Sequence, residues 1–271
     1  MKKIFTAFKF FALLGAPILL LSCGNVLEDT GNKDTKEAIF YDAQTKLNAR
    51  QYSAAIDLLE SLGSDFLAQP DVAVIYASAY SGRCGLDAVN LATSLSSFSS
   101  SGSIFLPIMN LFLNGTDSKI SDCETSEGIL KNLGDETART ADENLLMGFS
   151  SFAKIGTILS RFADTDGDGA VDPGFQYCDL NALPDDAVRE IGTGVALAIT
   201  SVTAVGGDLS SNALISVTDF SQLDPQLNIF CTATDKTAFT VPEVAVLRAV
   251  IGSTNQGIGA CPGDFTACIC P

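Results

Sequence analysis

The chain of 271 residues contains no histidine and no tryptophan. Without histidine, Ser-His-Asp and Cys-His mechanisms are excluded, and so are most catalytic zinc sites. The sequence also lacks a G-x-S-x-G turn, a phosphate-binding loop and a dinucleotide fingerprint. These absences lead us to predict that the protein is not an enzyme.

Basic residues are scarce, with 16 Lys and Arg against 32 Asp and Glu, and the formal net charge is −16. Such a surface repels nucleic acid, so we predict no nucleic-acid partner. It suits bound cations or a basic protein partner, although net charge of this size also serves solubility alone. Hydrophobic residues make up 46% of the chain, which is enough for a sizeable core.

One enzyme motif survives these exclusions. Ser151-Phe152-Ala153-Lys154 has the S-x-x-K spacing of penicillin-binding proteins, and Lys236-Thr237-Ala238 approximates their K-T-G element. The S-D-N element of that family is missing, and Ser151 lies within a long apolar stretch. A serine acyl enzyme is therefore kept only as a remote alternative.

The first 22 residues have the parts of an export signal. Lys2 and Lys3 form a positive start, a long apolar stretch follows, and the small residue Ser22 precedes Cys23. The run Leu20-Leu21-Ser22-Cys23 resembles the lipobox of bacterial lipoproteins. That resemblance implies cleavage before Cys23, lipidation of Cys23, and attachment to a membrane of the cell envelope; Gly24, in place of Asp, favours the outer membrane. An uncleaved anchor and an ordinary secretory leader are the alternatives.

Residues 23–36 are polar and predict a flexible tether. Residues 37–98 have the three- and four-residue spacing of amphipathic helices, and the pattern returns after 33 residues. In this register Ala43 pairs with Tyr76 and Leu47 with Tyr80. The period resembles that of tetratricopeptide repeats, which are binding scaffolds, and implies a partner-binding face near Tyr76 and Tyr80. A plain pair of helical hairpins is the alternative.

The remaining region, residues 104–271, continues the helical pattern, so we predict a mainly α fold with an irregular helical second part. The candidate helices there are residues 121–133, 137–162, 185–205 and 242–251. Residues 94–103, which are mostly serine, predict a linker. Residues 206–240 are ambiguous between helix and strand.

The clearest chemical motif is an aspartate loop at residues 164–172. Asp164, Asp166, Asp168 and Asp172 stand at positions 1, 3, 5 and 9 of a calcium loop, with Gly169 at position 6. The carbonyl of Ala170 would be the ligand at position 7, and Val171 would point into the core. Position 12, a bidentate Glu in EF-hands, is Phe175 here. The loop therefore resembles EF-hand-derived or thrombospondin-like loops, and we predict structural Ca²⁺, completed by water or by Asp179. An exposed acidic turn is the alternative.

Seven cysteines follow Cys23, and export makes disulfides plausible, with one thiol left over. They are Cys84, Cys123, Cys178, Cys231, Cys261, Cys268 and Cys270. We expect Cys261 to pair with Cys268 or Cys270, while a zinc site is a weaker alternative because the spacing is not a standard one.

Two functions fit this sequence. The first is a lipid-anchored envelope scaffold that binds a protein partner through its repeats and is rigidified by calcium. The second is a structural or surface lipoprotein without a dedicated partner.

Overall fold

The computed structural model describes residues 34–97, 103, 105–206, 229–263 and 265–270. The chain divides after Ile39 into two units. In the first unit the described residues begin a helix, at which the Thr35 hydroxyl accepts a hydrogen bond from the Ala38 amide (3.2 Å). The second unit, residues 40–271, holds all the packing described below. The lipidation site predicted at Cys23 and most of the predicted tether lie outside the described residues.

The predicted repeat region is helical. Its helices are α1 (Lys36–Asn48), α2 (Tyr52–Glu60), the single turn α3 (Ser64–Leu67), α4 (Pro70–Cys84) and α5 (Ala88–Ser97). Proline at the first position of α4 fits a helix start, and Gly85 ends α4 with a φ of 121°. The predicted linker at 94–103 therefore starts too early, because residues 88–97 contain no glycine or proline to stop α5.

The second region is also helical, which confirms the prediction of a mainly α fold. Its helices are α6 (Phe105–Leu111), α7 (Asp117–Lys131), α8 (Ala141–Ala163), α9 (Asp185–Ala204), α10 (Ile229–Thr232) and α11 (Val241–Gly252), with 3₁₀ turns at Lys236–Ala238 and Phe265–Cys268. No strand occurs among the described residues, which contain only one isolated bridge, between Ser253 and Cys261. None of the described helices combines the length and hydrophobicity needed to cross a bilayer.

Helix α8 is the centre of the molecule. A capping box starts it: the Thr140 amide donates to the Glu143 carboxylate (2.7 Å), and the Glu143 amide donates to the Thr140 hydroxyl. Beyond the first turn most of its side chains are buried. Helices α4, α6, α7 and α9 all pack on it, while α10 and α11 pack on α9. A helix surrounded on several sides must be apolar around most of its circumference, which explains the long apolar stretch in its sequence.

The contact between α8 and α9 is close because α9 has a glycine where the helices cross. A β-carbon on Gly194 would lie 2.8 Å from Cγ1 of Ile155. The absence of a side chain lets Ile155 fill that space, and neighbouring Ile191, Val195 and Ala198 are almost fully buried. The crossing therefore gains dispersion contacts from close packing.

A buried charge lies within this apolar centre. Lys154 on α8 has no solvent exposure. Its ammonium donates to Glu127 on α7 (2.6 Å) and to Glu190 and Thr193 on α9 (2.8 and 2.9 Å). All three ammonium protons therefore have an acceptor, which is the condition for a buried charge to be tolerated. Glu190 also pairs with Lys236 of the 3₁₀ turn (3.1 Å).

The electrostatics of this buried cluster favour the ionised forms. Burial acts to lower the pKa of Lys154, but the charges of Glu127 and Glu190 outweigh it, and the pKa is raised. Burial acts to raise the pKa of Glu190, but Lys154 and Lys236 outweigh it, and the pKa is lowered. The cluster thus connects α7, α8 and α9 as an ion network rather than as neutral hydrogen bonds.

A second polar contact joins three helices beside this network. The hydroxyl of Ser81 on α4 lies 2.7 Å from that of Ser126 on α7 and 2.6 Å from that of Ser150 on α8. Ser126 also donates to the carbonyl of Ala77 (3.0 Å). All three serines are buried. Small hydroxyl side chains let the helices approach closely and still satisfy one another's hydrogen bonds.

Three disulfides pair six of the seven cysteines that follow Cys23. They join Cys84 to Cys123, Cys178 to Cys270, and Cys261 to Cys268. The expectation that Cys261 pairs with Cys268 or Cys270 is confirmed for Cys268. The remaining thiol is half-buried Cys231, and burial raises its pKa. The zinc alternative for the tail is wrong, because Cys261, Cys268 and Cys270 are all in disulfides.

We predict that Lys154→Met lowers the free energy of unfolding by about 3–5 kcal/mol, because it leaves Glu127 and Glu190 buried without a cation. Lys131→Met is the matched control. Lys131 is exposed, and among the described residues its ammonium donates to the Thr234 carbonyl alone, so this change should cost less than about 1 kcal/mol. Urea unfolding measures both variants, and equal losses would contradict a special role for Lys154.

Non-reducing peptide mapping should find the three disulfides Cys84–Cys123, Cys178–Cys270 and Cys261–Cys268. Alkylation of the denatured, unreduced protein should then label Cys231 as the one thiol after residue 34. Because its pKa is raised and its side chain is half-buried, native Cys231 should react more slowly than the denatured thiol. A peptide joining Cys261 to Cys270 would disprove this pairing.

Candidate functional site

The aspartate loop directly follows the last turn of α8. Asp164 ends that helix, and its carboxylate accepts hydrogen bonds from the amides of Asp168 (3.0 Å) and Gly169 (3.2 Å). The amide of Asp172 donates to the carbonyl of Ala163 (2.7 Å), which brings the two ends of the loop together. The loop is therefore anchored to the most buried helix of the fold.

Three of the predicted ligands converge. Carboxylate oxygens of Asp164, Asp166 and Asp172 all lie within 4.8 Å of one another. Asp164 is 1% exposed, and no described lysine or arginine forms an ion pair with the three. Like charges this close in a partly buried place repel one another unless a cation or a proton neutralises them. Separately from this repulsion, burial raises the pKa of Asp164.

The other predicted ligands are placed differently. The carboxylate of Asp168 accepts a hydrogen bond from the Ala170 amide (2.8 Å) and does not belong to the converging group. Asp172 accepts from the Thr165 amide (3.0 Å) and hydroxyl, and the hydroxyl contact is the larger cause of its lowered pKa. The structure thus supplies three converging carboxylates rather than four.

The predicted completion of the site by Asp179 does not occur in this arrangement. Asp179 instead accepts hydrogen bonds from the backbone amide (2.8 Å) and side chain of Asn181. Phe175, at loop position 12, packs against the core, and so does Val171, as predicted. Further oxygen atoms near the loop belong to backbone carbonyls and to the side-chain amides of Asn110 and Asn114, which lie beside Gly169 and Gly167.

Glycines shape the loop. Gly167 and Gly169 have φ values of 74° and 85°, which are left-handed conformations that glycine adopts without strain. A β-carbon on Gly167 would lie 2.6 Å from Oδ1 of Asn114. The loop therefore packs closely on the segment between α6 and α7, and this contact adds to the positioning of its carboxylates.

The donor chemistry fits a hard cation. The converging atoms are all carboxylate oxygens, and no histidine or thiol is near enough to join them. Ca²⁺ accepts six to eight oxygen ligands in flexible geometry, whereas zinc prefers nitrogen and sulfur. The residues present therefore fit calcium with part of its coordination sphere supplied by the side chains of Asp164, Asp166 and Asp172.

The predicted partner-binding tyrosines form a pair on α4. Their rings make an edge contact with centroids 5.1 Å apart, and both hydroxyls donate to Glu60 of α2, at 3.1 Å for Tyr76 and 2.9 Å for Tyr80. Burial, followed by the hydrogen bond with Tyr80, raises the pKa of Tyr76. Tyr80 is 9% exposed and lies under the guanidinium of Arg83, 5.0 Å from its ring centre.

Tyr76 is the more accessible of the two. It lines a groove of about 320 Å³ together with apolar side chains of α3, α4, α7 and the turn after α7, among them Leu67, Ala73, Ile129 and Leu133. The repeat region packs on the rest of the fold mainly through α4 against α7. The surface left for a partner beside the tyrosines is therefore this groove rather than a fully open face.

The two parts of the S-x-x-K resemblance do not form a dyad. The Ser151 hydroxyl is buried and donates to the Met147 carbonyl (2.8 Å), while Lys154 is bound to Glu127, Glu190 and Thr193. Lys236 reaches the same network, at Asp186 and Glu190. A nucleophilic serine needs an exposed hydroxyl and a neutral base beside it, and neither is present at Ser151.

The sequence reasoning missed the ion network itself. A signal was present, since Lys154 is the one charged residue between positions 145 and 160 of a strongly apolar helix. Its partners could not be read from spacing, because Glu127 and Glu190 are 27 and 36 residues away.

We predict that a fluorescent penicillin gives no covalent band with this protein, since the Ser151 hydroxyl is buried and already donates to a carbonyl. A penicillin-binding protein treated in parallel provides the positive control. A band that disappears in Ser151→Ala would contradict this expectation and restore the acyl-enzyme alternative.

No known family model, curated protein or solved structure matches this chain. Any role for these residues therefore rests on their own contacts, burial and charge. The aspartate loop and the groove beside Tyr76 are the two candidate sites to which the sequence analysis and the structure both lead.

Proposed function

We propose that the protein is a lipid-anchored component of the bacterial cell envelope that acts as a non-catalytic protein-binding scaffold with a structural calcium site. The observation that carries the proposal is the convergence of Asp164, Asp166 and Asp172 at the end of the central helix, with Asp164 almost fully buried. An extracytoplasmic protein meets the calcium concentrations at which loops with few ligands are occupied.

The proposed location at a membrane of the cell envelope rests on the first 23 residues. Their positive start, apolar stretch and small residue before Cys23 resemble a lipoprotein signal, and lipid on Cys23 would hold the mature chain at the outer membrane. Three disulfides in the described residues support an oxidising compartment.

Calcium would be held by Asp164, Asp166 and Asp172, with a backbone carbonyl such as that of Ala170 and water completing its shell. Asp168 would not bind the ion directly but would help to hold the loop in shape, because its carboxylate accepts a hydrogen bond from the Ala170 amide. When bound, the ion supplies positive charge that offsets the repulsion among the carboxylates. Because the loop begins at Asp164, directly after the last residue of α8, the bound ion would stabilise the connection between α8 and the segment leading to α9.

The scaffold role rests on the helical repeat region and on the groove that Tyr76 lines. Leu67, Ala73, Ile129 and Leu133 give this groove apolar walls, and the tyrosine hydroxyl stands at its side. Aromatic side chains with an apolar body and a polar tip are frequent in protein interfaces.

A structural or surface lipoprotein without a dedicated partner is the second candidate. The burial of Tyr80 favours it, because its contacts with Glu60, Tyr76 and Arg83 are all within the chain. On this alternative the repeat helices serve only to bury one another.

Cross-linking on intact cells, followed by purification of the tagged protein from solubilised membranes, separates the two candidates. The scaffold role predicts one enriched envelope protein that is lost in Tyr76→Ala and retained in Tyr41→Ala. Tyr41 is an exposed tyrosine on α1 and serves as the matched control. The absence of an enriched protein would support the second candidate, whereas equal recovery with both variants would place the binding surface away from Tyr76.

Calcium should raise the melting temperature of the purified protein by several degrees relative to a chelator, because an ion that binds only the folded state stabilises it by mass action. Asp164→Asn combined with Asp172→Asn should abolish the shift. Asp179→Asn should keep it, since Asp179 is engaged with Asn181. A shift of the same size in the loop variant would place the ion elsewhere.

Cells grown with labelled palmitate should incorporate the label into this protein, and Cys23→Ser should abolish incorporation and release the chain from the membrane fraction. Cys231→Ser provides the control, because it removes a thiol of the folded region. Retention of label in Cys23→Ser would rule out lipidation at Cys23.

A further inference from the structure

A concave groove lies between α7, the end of α8 and the start of α9. Its volume is about 260 Å³, which is below the roughly 300–1,000 Å³ of pockets for drug-sized ligands. Ile120, Ile158, Phe162, Pro184 and Ala187 form an apolar floor, and four carboxylates stand around it. The groove shares no residue with the aspartate loop or with the groove beside Tyr76.

Three of the four carboxylates already have a cation within the chain. Asp117 pairs with Arg161 (3.0 Å), Asp186 with Lys236 (3.0 Å), and Glu190 with Lys154 (2.8 Å). Glu124 is different: it is partly buried, and it has neither a hydrogen bond nor an ion pair with any described residue. Burial, followed by the charge of Glu190, raises its pKa. Its carboxylate therefore lacks the compensation that its neighbours have.

We propose that this groove is a docking site for a lysine side chain of a basic partner protein. The alkyl stem would lie on Ile120, Ile158 and Phe162, and the ammonium would bind Glu124. Lysine carries its charge as a compact group at the end of an apolar stem, which matches one unpaired carboxylate above an apolar floor.

Charge complementarity supports the same partner. The protein has a net charge of −16, so a basic protein is attracted over distances of about a Debye length, roughly 8–10 Å at physiological ionic strength. No basic side chain lines the groove. This inference is independent of the calcium site and of the groove beside Tyr76, and it holds whether or not either of these binds its proposed ligand.

The test uses the full chain in micelles of a neutral detergent and follows backbone amide resonances during titration. The probe is Nα-acetyl-lysinamide, and Nα-acetyl-norleucinamide has the same stem without the charge. We expect the backbone amide resonances of Ile120, Glu124 and Ala187 to shift saturably with the lysine compound and not with the norleucine compound. Glu124→Gln should weaken binding by about tenfold, the loss of one charge-assisted hydrogen bond. Asp57→Asn, which removes an exposed charge on α2, should leave binding unchanged.

Glu124→Gln is expected to fold, because it removes a partly buried charge without a partner, and its melting temperature should be no lower than that of the wild type. Equal shifts with the norleucine compound, or unchanged binding in Glu124→Gln, would overturn the proposal. Groove resonances that respond only to calcium would also overturn the proposal, because they would assign the groove to a metal ion. Resonances that change with protein concentration alone would assign it to a second copy of the chain.

Discussion

The ion network around Lys154 is the constraint on which the arrangement of the central helices depends. A fully buried ammonium must have acceptors on every proton, and these come from two neighbouring helices, α7 and α9. Packing already aligns α8 with α9 where Ile155 fills the space over Gly194, and the buried charge adds a directional constraint that also includes α7. The Lys154 ammonium reaches all three acceptors when the helices are aligned so that Glu127, Glu190 and Thr193 meet. This requirement sets the register of α7 and α9 on α8.

The candidate sites follow from that alignment. Because α8 is held along its length, its last residues present Asp164 at a defined place, and the loop returns to the Ala163 carbonyl. Near the same end of α8, Ile158 and Phe162 form the groove with Glu124 of α7 and with the start of α9. The serine contacts among Ser81, Ser126 and Ser150 extend the alignment to α4, and through α4 to the helices of the repeat region.

Local features of this chain could be predicted from its sequence, and long-range ones could not. The span of α9 was predicted to within one residue because Pro184, Asp185 and Asp186 mark its start. The convergence of Asp164, Asp166 and Asp172 was predicted because a loop of nine residues fixes their spacing, but Asp168, predicted with them, does not join the group. The pairing of Lys154 with two glutamates and that of Cys178 with Cys270 depend on how distant segments meet, and no periodicity encodes such contacts. Tyr80 was expected on an open repeat face, but its hydroxyl binds Glu60 and its ring lies under Arg83, contacts that the 33-residue period does not encode.

Native-state hydrogen exchange tests the central claim most directly. If the Lys154 network locks the three helices together, amides in the middle of α7, α8 and α9 should open with one common free energy, close to that of global unfolding. In Lys154→Met, the amides of α7 should exchange at a lower free energy than those of α8. A wild-type protein in which α7 already opens independently of α8 and α9 would contradict the account, since its register would then not depend on the buried charge.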